Sequence, residues 1–347
     1  MRALSFHESR RIVVESRDDP TPEAGEVVLR TDAAGICASD LRVYRGEKHA
    51  TPGVIPGHEI TGTVAALGAG VEDLAEGDRV SVYPIVACGR CDFCRRGLRN
   101  RCQSRRTLGY DLDGGIAEYV RVPAPIVGQG QLMPVPHGVP SERAAMPEPP
   151  ACVLNSFESC RFRAGASVAI IGAGPMGLSH VILARALGAG AVIVAEPVDS
   201  RRALAAELGA TLVCGGDPDE IQKTVKDATR GAGADVVIVS VGLAGLTELA
   251  LPIAAKQGSI NLFAGFPPET SASLDVNFLH YNEIVLTGSQ NATPDQFRRT
   301  AELLPALAGL DALITHRFQM ADADGAYTTR DDPSALKTIV FPGGING

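Results

Sequence analysis

Four cysteines crowd one short stretch: Cys88, Cys91, Cys94 and Cys102, at C-x2-C-x2-C-x7-C spacing. Four thiolates so spaced can converge on one point from a single lobe. A tetrahedral thiolate set closes the coordination shell of Zn²⁺, so such a site shapes a loop and performs no chemistry. The alternatives are two disulfides or four inert core thiols. Disulfides need an oxidising compartment, and nothing else in the chain points to one.

A second stretch is Gly172-Ala173-Gly174-Pro175-Met176-Gly177. An apolar run at 167–171 precedes it and an apolar-periodic run at 178–187 follows, so it reads as a strand-to-helix turn. In G-x-G-x-x-G the first glycine permits the tight turn, the second lets the backbone approach a pyrophosphate, and the third lets helix pack on strand. The free N–H groups of the helix start then face the phosphates. Glu196 closes the next apolar run. There a carboxylate accepts hydrogen bonds from both ribose hydroxyls and repels a 2′-phosphate, so NAD is expected over NADP. Arg201 and Arg202 follow, and either could pair with that phosphate; a solvated helix face is the plainer reading. For the glycines the alternative is an ordinary βα turn.

A structural metal beside a nucleotide fold directs the search to a second, open metal site. Candidate ligands stand in Gly35-Ile36-Cys37-Ala38-Ser39-Asp40, in Gly57-His58-Glu59, and in Pro147-Glu148-Pro149. Alone, Cys37 reads as a buried thiol, His58 as a core histidine and Glu148 as a carboxylate at a helix start. Cys152 is a rival ligand or an apolar contact.

These residues need elements to hold them. Up to about residue 150 the chain is rich in glycine and alternates apolar and polar residues, as in 11–15, 26–30, 59–66 and 79–83, which predicts short strands in a small barrel-like domain. From 151 to 290, strands at 191–195, 235–241, 259–263 and 283–287 alternate with helices at 200–208 and 246–255. That alternation predicts a parallel, doubly wound sheet. From 291 to 347 a helix over 295–307 and strands at 317–320 and 338–341 are expected, in a segment that returns to the first domain.

The motifs together resemble the zinc-dependent medium-chain dehydrogenase/reductase family of the alcohol dehydrogenase superfamily, along essentially the whole chain. Within it, Glu148-Pro149 resembles the branch of sorbitol (L-iditol) and threonine dehydrogenases. The resemblance implies an α/β two-domain fold: a GroES-like β-barrel catalytic domain at 1–150 with its structural-zinc lobe at 88–102, a Rossmann domain at 151–290, and 291–347 completing the first. It implies two zinc ions per chain, the catalytic one on Cys37, His58 and Glu148 with an open fourth position, and Glu59 as a transient ligand. Asp40 would fix the His58 tautomer from behind, and Ser39 would take the substrate proton. Zinc acidifies a bound hydroxyl, and the nicotinamide, in the cleft between the domains, receives the hydride. A relay histidine of the family is Arg42 here, and a guanidinium does not shuttle protons.

Tyr44, Tyr110 and Asn155, with Ser39, Glu148 and Gln290, would line a polar pocket suited to a polyol, cyclitol or aminocyclitol. Arg42, Arg45 and Lys48 could instead receive a phosphate or carboxylate. Threonine-type and sugar-phosphate dehydrogenases are the alternatives, and a non-catalytic NAD-sensing protein is a remote one.

The 347 residues suit two domains, and 45% hydrophobic with 21% charged residues suits a packed core. A net charge of −8 without a basic run argues against nucleic acid. No apolar run reaches the roughly 18 residues of a membrane span, and the N-terminus lacks a secretory pattern. A cytoplasmic homodimer or homotetramer is expected, pairing through the strand near 283–287.

Overall fold

The computed structural model describes residues 1–329, 332 and 334–344. The chain divides into two compact units, one of Met1–Glu148 with the residues from Thr293 onward, the other of Pro149–Ala292.

The first unit is built on a seven-stranded sheet whose axis is the ten-residue strand Val27–Ile36. Glu59–Leu67 runs antiparallel to it. The Val27–Arg30 half of the long strand pairs with Tyr119–Val122, and its Ala34–Ile36 half pairs with Lys337–Phe341. Every second residue of these strands turns inward, so Val27, Leu29, Ile60, Val64, Val80, Val82, Val120 and Val122 fill one core. The C-terminal strand is thereby a structural neighbour of the residues just before Cys37.

In the second unit six strands run parallel, in the order 212–214, 192–195, 168–171, 234–239, 254–262, 285–288. Helices cover the sheet, so its central strands Val168–Ile171 and Val192–Ala195 are buried throughout and read as unbroken apolar runs. Strand order reverses between 168–171 and 234–239, the position where such sheets open a crevice at their carboxyl ends.

Several boundaries differ from the sequence expectation. The helix expected over 246–255 is Ala244–Ile253, and Ala254 already belongs to the next strand. Pro252, which has no N–H, lies in the last turn of the helix, and Ala254 has already turned to extended backbone. The helix expected over 295–307 is Pro294–Leu303, and a 3-10 turn containing Pro305 replaces its last part. The strand expected over 235–241 ends at Val239 and frees Ser240 for another task. The strand expected over 317–320 runs Ile314–Gln319. Strand Arg2–Glu8 and helix Ala38–Tyr44 were not anticipated.

Candidate functional site

In the first unit, Cys37 ends the long strand and caps helix Ala38–Tyr44. One oxygen of Asp40 accepts the Cys37 N–H at 2.8 Å, and the other lies 3.1 Å from His58 Nδ1. A single buried carboxylate thus ties together two chain segments. With Nδ1–H donating to Asp40, the Nε2 lone pair of His58 is left for a metal. Burial opposes ionisation of Asp40, yet the His58 charge and the hydrogen bonds from His58 and Cys37 hold its pKa below the usual value. Burial likewise opposes protonation of His58, but Asp40 and then Cys37 raise its pKa well above that of a free imidazole. His58 follows Gly57, whose φ of +93° only glycine adopts without strain.

Glu59 opens the neighbouring strand opposite Gly35, where an added Cβ would lie 2.1 Å from Glu59 Oε2. Glycine at 35 therefore makes the space into which the carboxylate folds. Glu59 is fully buried and ion-paired with buried Lys337, the first residue of the C-terminal strand. Its Oε1 meets no hydrogen-bond donor among the described residues. Burial raises the Glu59 pKa, Lys337 and His58 oppose the rise, and Glu148 adds to it. Ligand atoms of Cys37, His58 and Glu59 all lie within 4.8 Å of one another. Thiolate, imidazole and a carboxylate with an orphaned oxygen form a donor set that fits Zn²⁺. Glu148 is not in this group. It begins helix Glu148–Ser159 and acts on Glu59 through its charge.

Around this group stand hydroxyls. Tyr110 is buried, with its OH 2.6 Å from Ser39 Oγ and 3.1 Å from His58 Nδ1. Burial, followed by the charges of Asp40 and Cys37, raises the Tyr110 pKa well above the phenol value, so it stays neutral. Lys48 Nζ lies 3.5 Å from the centroid of the Tyr110 ring. Tyr44 packs on Tyr327 with ring centroids 5.6 Å apart. Arg42 is exposed and lies 3.6 Å from Glu47.

The lobe at 88–102 draws the Sγ atoms of Cys88, Cys91, Cys94 and Cys102 within 4.8 Å of one another, and all four are free thiols. Sγ separations of 3.5 Å for Cys91–Cys94 and 3.9 Å for Cys88–Cys94 bracket the edge of about 3.8 Å expected for a tetrahedron with Zn–S near 2.3 Å. They are far beyond a disulfide bond. Backbone N–H groups of Arg90 and Cys91 pull the Cys88 thiol down to about 6, while burial pushes Cys94 up to about 12.

In the second unit, Gly172 has φ +99°, and a Cβ on Gly177 would lie 1.9 Å from Gly172 O. Nothing lies within 4 Å of a Cβ at Gly174, the open side of the turn. Gly174 caps helix Pro175–Ala186 without a side-chain hydrogen bond, and Pro175 and Met176 form its first turn. Ser240, missed in the sequence, donates to Ile171 O and Gly172 O at 2.8 and 2.9 Å and props the turn. Glu196 is buried, and its two oxygens accept the Ala173 N–H at 2.7 Å and the Val198 N–H at 3.0 Å. Its carboxylate therefore shapes the loop, and each oxygen keeps a second lone pair for a ribose hydroxyl. Arg202 is not a solvated side chain: it binds the carbonyls of Glu196 and Pro197 at 2.7 and 2.8 Å and pairs with Asp199. Arg201 lies beside it, half-buried, on helix Asp199–Glu207. Asn155 Nδ2 donates to Asn291 O at 2.7 Å.

Comparison with known proteins agrees with this chemistry. Residues 23–136 match the alcohol dehydrogenase GroES-like domain, and residues 175–306 match the zinc-binding dehydrogenase domain. The chain is 34% identical over 311 residues to an L-threonine 3-dehydrogenase of Pyrococcus abyssi, covering 88% of this chain and 87% of the relative. It is 30% identical to a sorbitol dehydrogenase of Halalkalibacterium halodurans, covering 99% of each. A zinc-binding dehydrogenase structure from Sinorhizobium meliloti 1021, bound to NADP, superposes with TM-score 0.89 at 31% identity, covering 98% of this chain and 99% of that one. With two metal-competent donor sets and a doubly wound nucleotide fold, the chain belongs to the zinc-dependent medium-chain dehydrogenase/reductase family and is an oxidoreductase that acts on CH–OH groups with zinc and NAD(P).

Proposed function

We propose that the chain oxidises a secondary hydroxyl of a polyhydroxylated substrate, such as a polyol, cyclitol or aminocyclitol, with NAD⁺ as acceptor. The observation that carries this reading is the paired hydroxyls of Ser39 and Tyr110 beside the Cys37–His58–Glu59 group. In this reading those three residues hold a catalytic zinc, and Cys88, Cys91, Cys94 and Cys102 hold a structural one. Glu148, the third ligand that the family resemblance implies, is in this reading a neighbouring carboxylate whose charge raises the Glu59 pKa. When bound, zinc supplies Lewis acidity to a substrate hydroxyl, and the nicotinamide supplies the hydride acceptor.

The chain's own residues do the rest. Asp40 fixes the His58 tautomer. Tyr110, kept neutral, orients Ser39 Oγ, which takes the substrate proton as its own passes to water. Arg42 takes no part in that transfer. Gly172, Gly174, Gly177, Pro175 and Met176 cradle the pyrophosphate, and Glu196 reads the ribose and disfavours NADP. The polar side chains at the first site favour a polyol over a simple alcohol.

A threonine-type activity is the second reading, favoured by the likeness to the Pyrococcus enzyme. We further propose a cytoplasmic homo-oligomer, consistent with eight cysteines that are all free.

The test is a turnover screen of sorbitol, myo-inositol, an aminocyclitol, L-threonine and 2-propanol with NAD⁺ and NADP⁺ in parallel, on zinc-loaded protein. The expected result is oxidation of a polyhydroxylated secondary alcohol with at least roughly tenfold higher kcat/KM for NAD⁺. Turnover confined to 2-propanol, or to NADP⁺, would overturn the reading.

A further inference from the structure

Lys48 is the feature that the reaction chemistry leaves unexplained. Its side chain is half-buried, with its ammonium on the face of the Tyr110 ring, 3.5 Å from the centroid. The hydroxyl of that same ring reaches Ser39 and His58. Lys48 therefore stands one aromatic ring away from the group that handles the reacting hydroxyl. Among the described residues no carboxylate lies within ion-pair distance of it, unlike the other buried lysine of this unit, Lys337, which is paired with Glu59. A partly desolvated cation resting only on a π face lacks the counter-charge that would offset its lost hydration.

The surroundings sharpen the point. Burial lowers the Lys48 pKa, Asp40 and Cys37 raise it, and the guanidiniums of Arg105 and Arg42 lower it again. Two further cations thus act on the same spot. Arg105 is anchored through the carbonyl of Asn100 at 2.9 Å. Asp40 is already committed to His58 and Cys37, so it is not free to serve as a close partner for Lys48.

Resting on the proposed reading of the site, we infer that the substrate carries an anionic group, a carboxylate or a phosphate, near the carbon oxidised, and that Lys48 on the Tyr110 face binds it. An ammonium with three donors suits either anion as a point charge. A neutral polyol would leave Lys48 without a counter-charge, whereas an aldonate or polyol phosphate would supply one. The ring links the two halves of recognition: its face carries the cation for the anion, and its edge carries the hydroxyl beside Ser39.

The test uses zinc-loaded full-length protein with NAD⁺ and four substrates: sorbitol, gluconate, sorbitol 6-phosphate and L-threonine. The ratio of kcat/KM for each anionic substrate to that for sorbitol is measured in wild type, Lys48→Met and Lys48→Arg, with zinc content as a check on folding. In wild type at least one anionic substrate is expected to exceed sorbitol by about tenfold or more, a charge-assisted hydrogen bond being worth that much. Lys48→Met should lower this ratio by roughly 10- to 100-fold, mainly through KM, and Lys48→Arg should recover most of it. The gluconate and phosphate arms distinguish the two anions. A wild type that prefers sorbitol, or a Lys48→Met ratio equal to that of wild type, would overturn the inference and leave the polyol reading standing. Absence of turnover with all four would overturn both.

Discussion

At the scale of single residues, the candidate centre depends on side chains that each hold two partners. Asp40 holds Cys37 and His58, Tyr110 holds Ser39 and His58, and Glu59 faces both the ligand group and Lys337. The local motifs were legible because their members are near in sequence: Cys37, Ser39 and Asp40 share one turn, and His58 and Glu59 are adjacent. Lys337 carried no such signal. It reaches Glu59 only because the C-terminal strand pairs with the end of the long strand, a contact that no spacing encodes. Tyr110 was legible as a polar pocket residue but not as a bridge between Ser39 and His58. The Glu59–Lys337 pair yields a prediction. Removing one member of a buried ion pair costs about 3 kcal/mol or more, because the other charge is left uncompensated. Chelator-treated Lys337→Met should therefore lose about that much stability. The zinc-loaded variant should lose clearly less, since a cation beside Glu59 takes over as counter-charge. Thermal unfolding with and without chelator measures both, and an equal loss in the two states would mean that Glu59 does not face the metal.

At the scale of elements, apolar runs and glycine turns made the nucleotide unit readable, because strands buried on both faces, such as Val168–Ile171 and Val192–Ala195, run unbroken in apolar residues. Boundaries failed where proline or a side-chain task intervened, as at Pro252, Pro305 and Ser240. Helix Ala38–Tyr44 was missed because seven residues are too few for a periodic pattern. Helix Pro175–Ala186 carries a further consequence of burial. His180 on it is fully buried, its Nδ1–H donates to Met176 O at 2.7 Å, and its ring meets Phe157 and Phe263 edge-on. Burial lowers its pKa to about 4, against a slight rise from the Met176 carbonyl, so it is neutral in the folded unit. In the unfolded chain it titrates near 6.5. Below that pH the unfolded state binds the additional proton, so the contribution of His180 is complete above about pH 6.5 and is lost as pH falls toward about 4. The total is about 3 kcal/mol. His180→Leu removes this term, so the stability difference between wild type and variant should shrink in favour of the variant from pH 7 to pH 4.5. Denaturant midpoints at the two pH values measure it, and a pH-independent difference would show that the His180 pKa is the same in the folded and unfolded states.

At the scale of the whole molecule, a net charge of −8 gives the chain no electrostatic pull toward nucleic acid, and no helix among the described residues is long and apolar enough to cross a membrane. What the single chain leaves unfinished is one edge of its parallel sheet. Strand Val285–Gly288 is outermost and, among the described residues, is bonded on one side only, to Ala254–Leu262. Helix Val276–Tyr281, just before it in the chain, rests Phe278 and Leu279 against the core and has no fully buried residue, and its Val276 and Tyr281 are 70% and 77% exposed. An unpaired strand edge is a template for another strand, and large exposed apolar side chains near it mark a surface that gains by being covered. A second copy of the chain offers the same edge and the same patch, which is the requirement for a two-fold interface. The expected outcome is a dimer or larger even-numbered assembly by light scattering at micromolar protein. Val276→Asp combined with Tyr281→Asp places like charges on both sides of that interface. It should shift the protein to monomer while circular dichroism and zinc content stay at wild-type values. A wild type that is monomeric at micromolar concentration, or a doubly charged variant that stays associated on tenfold dilution, would mean that this edge is closed by something other than its own copy.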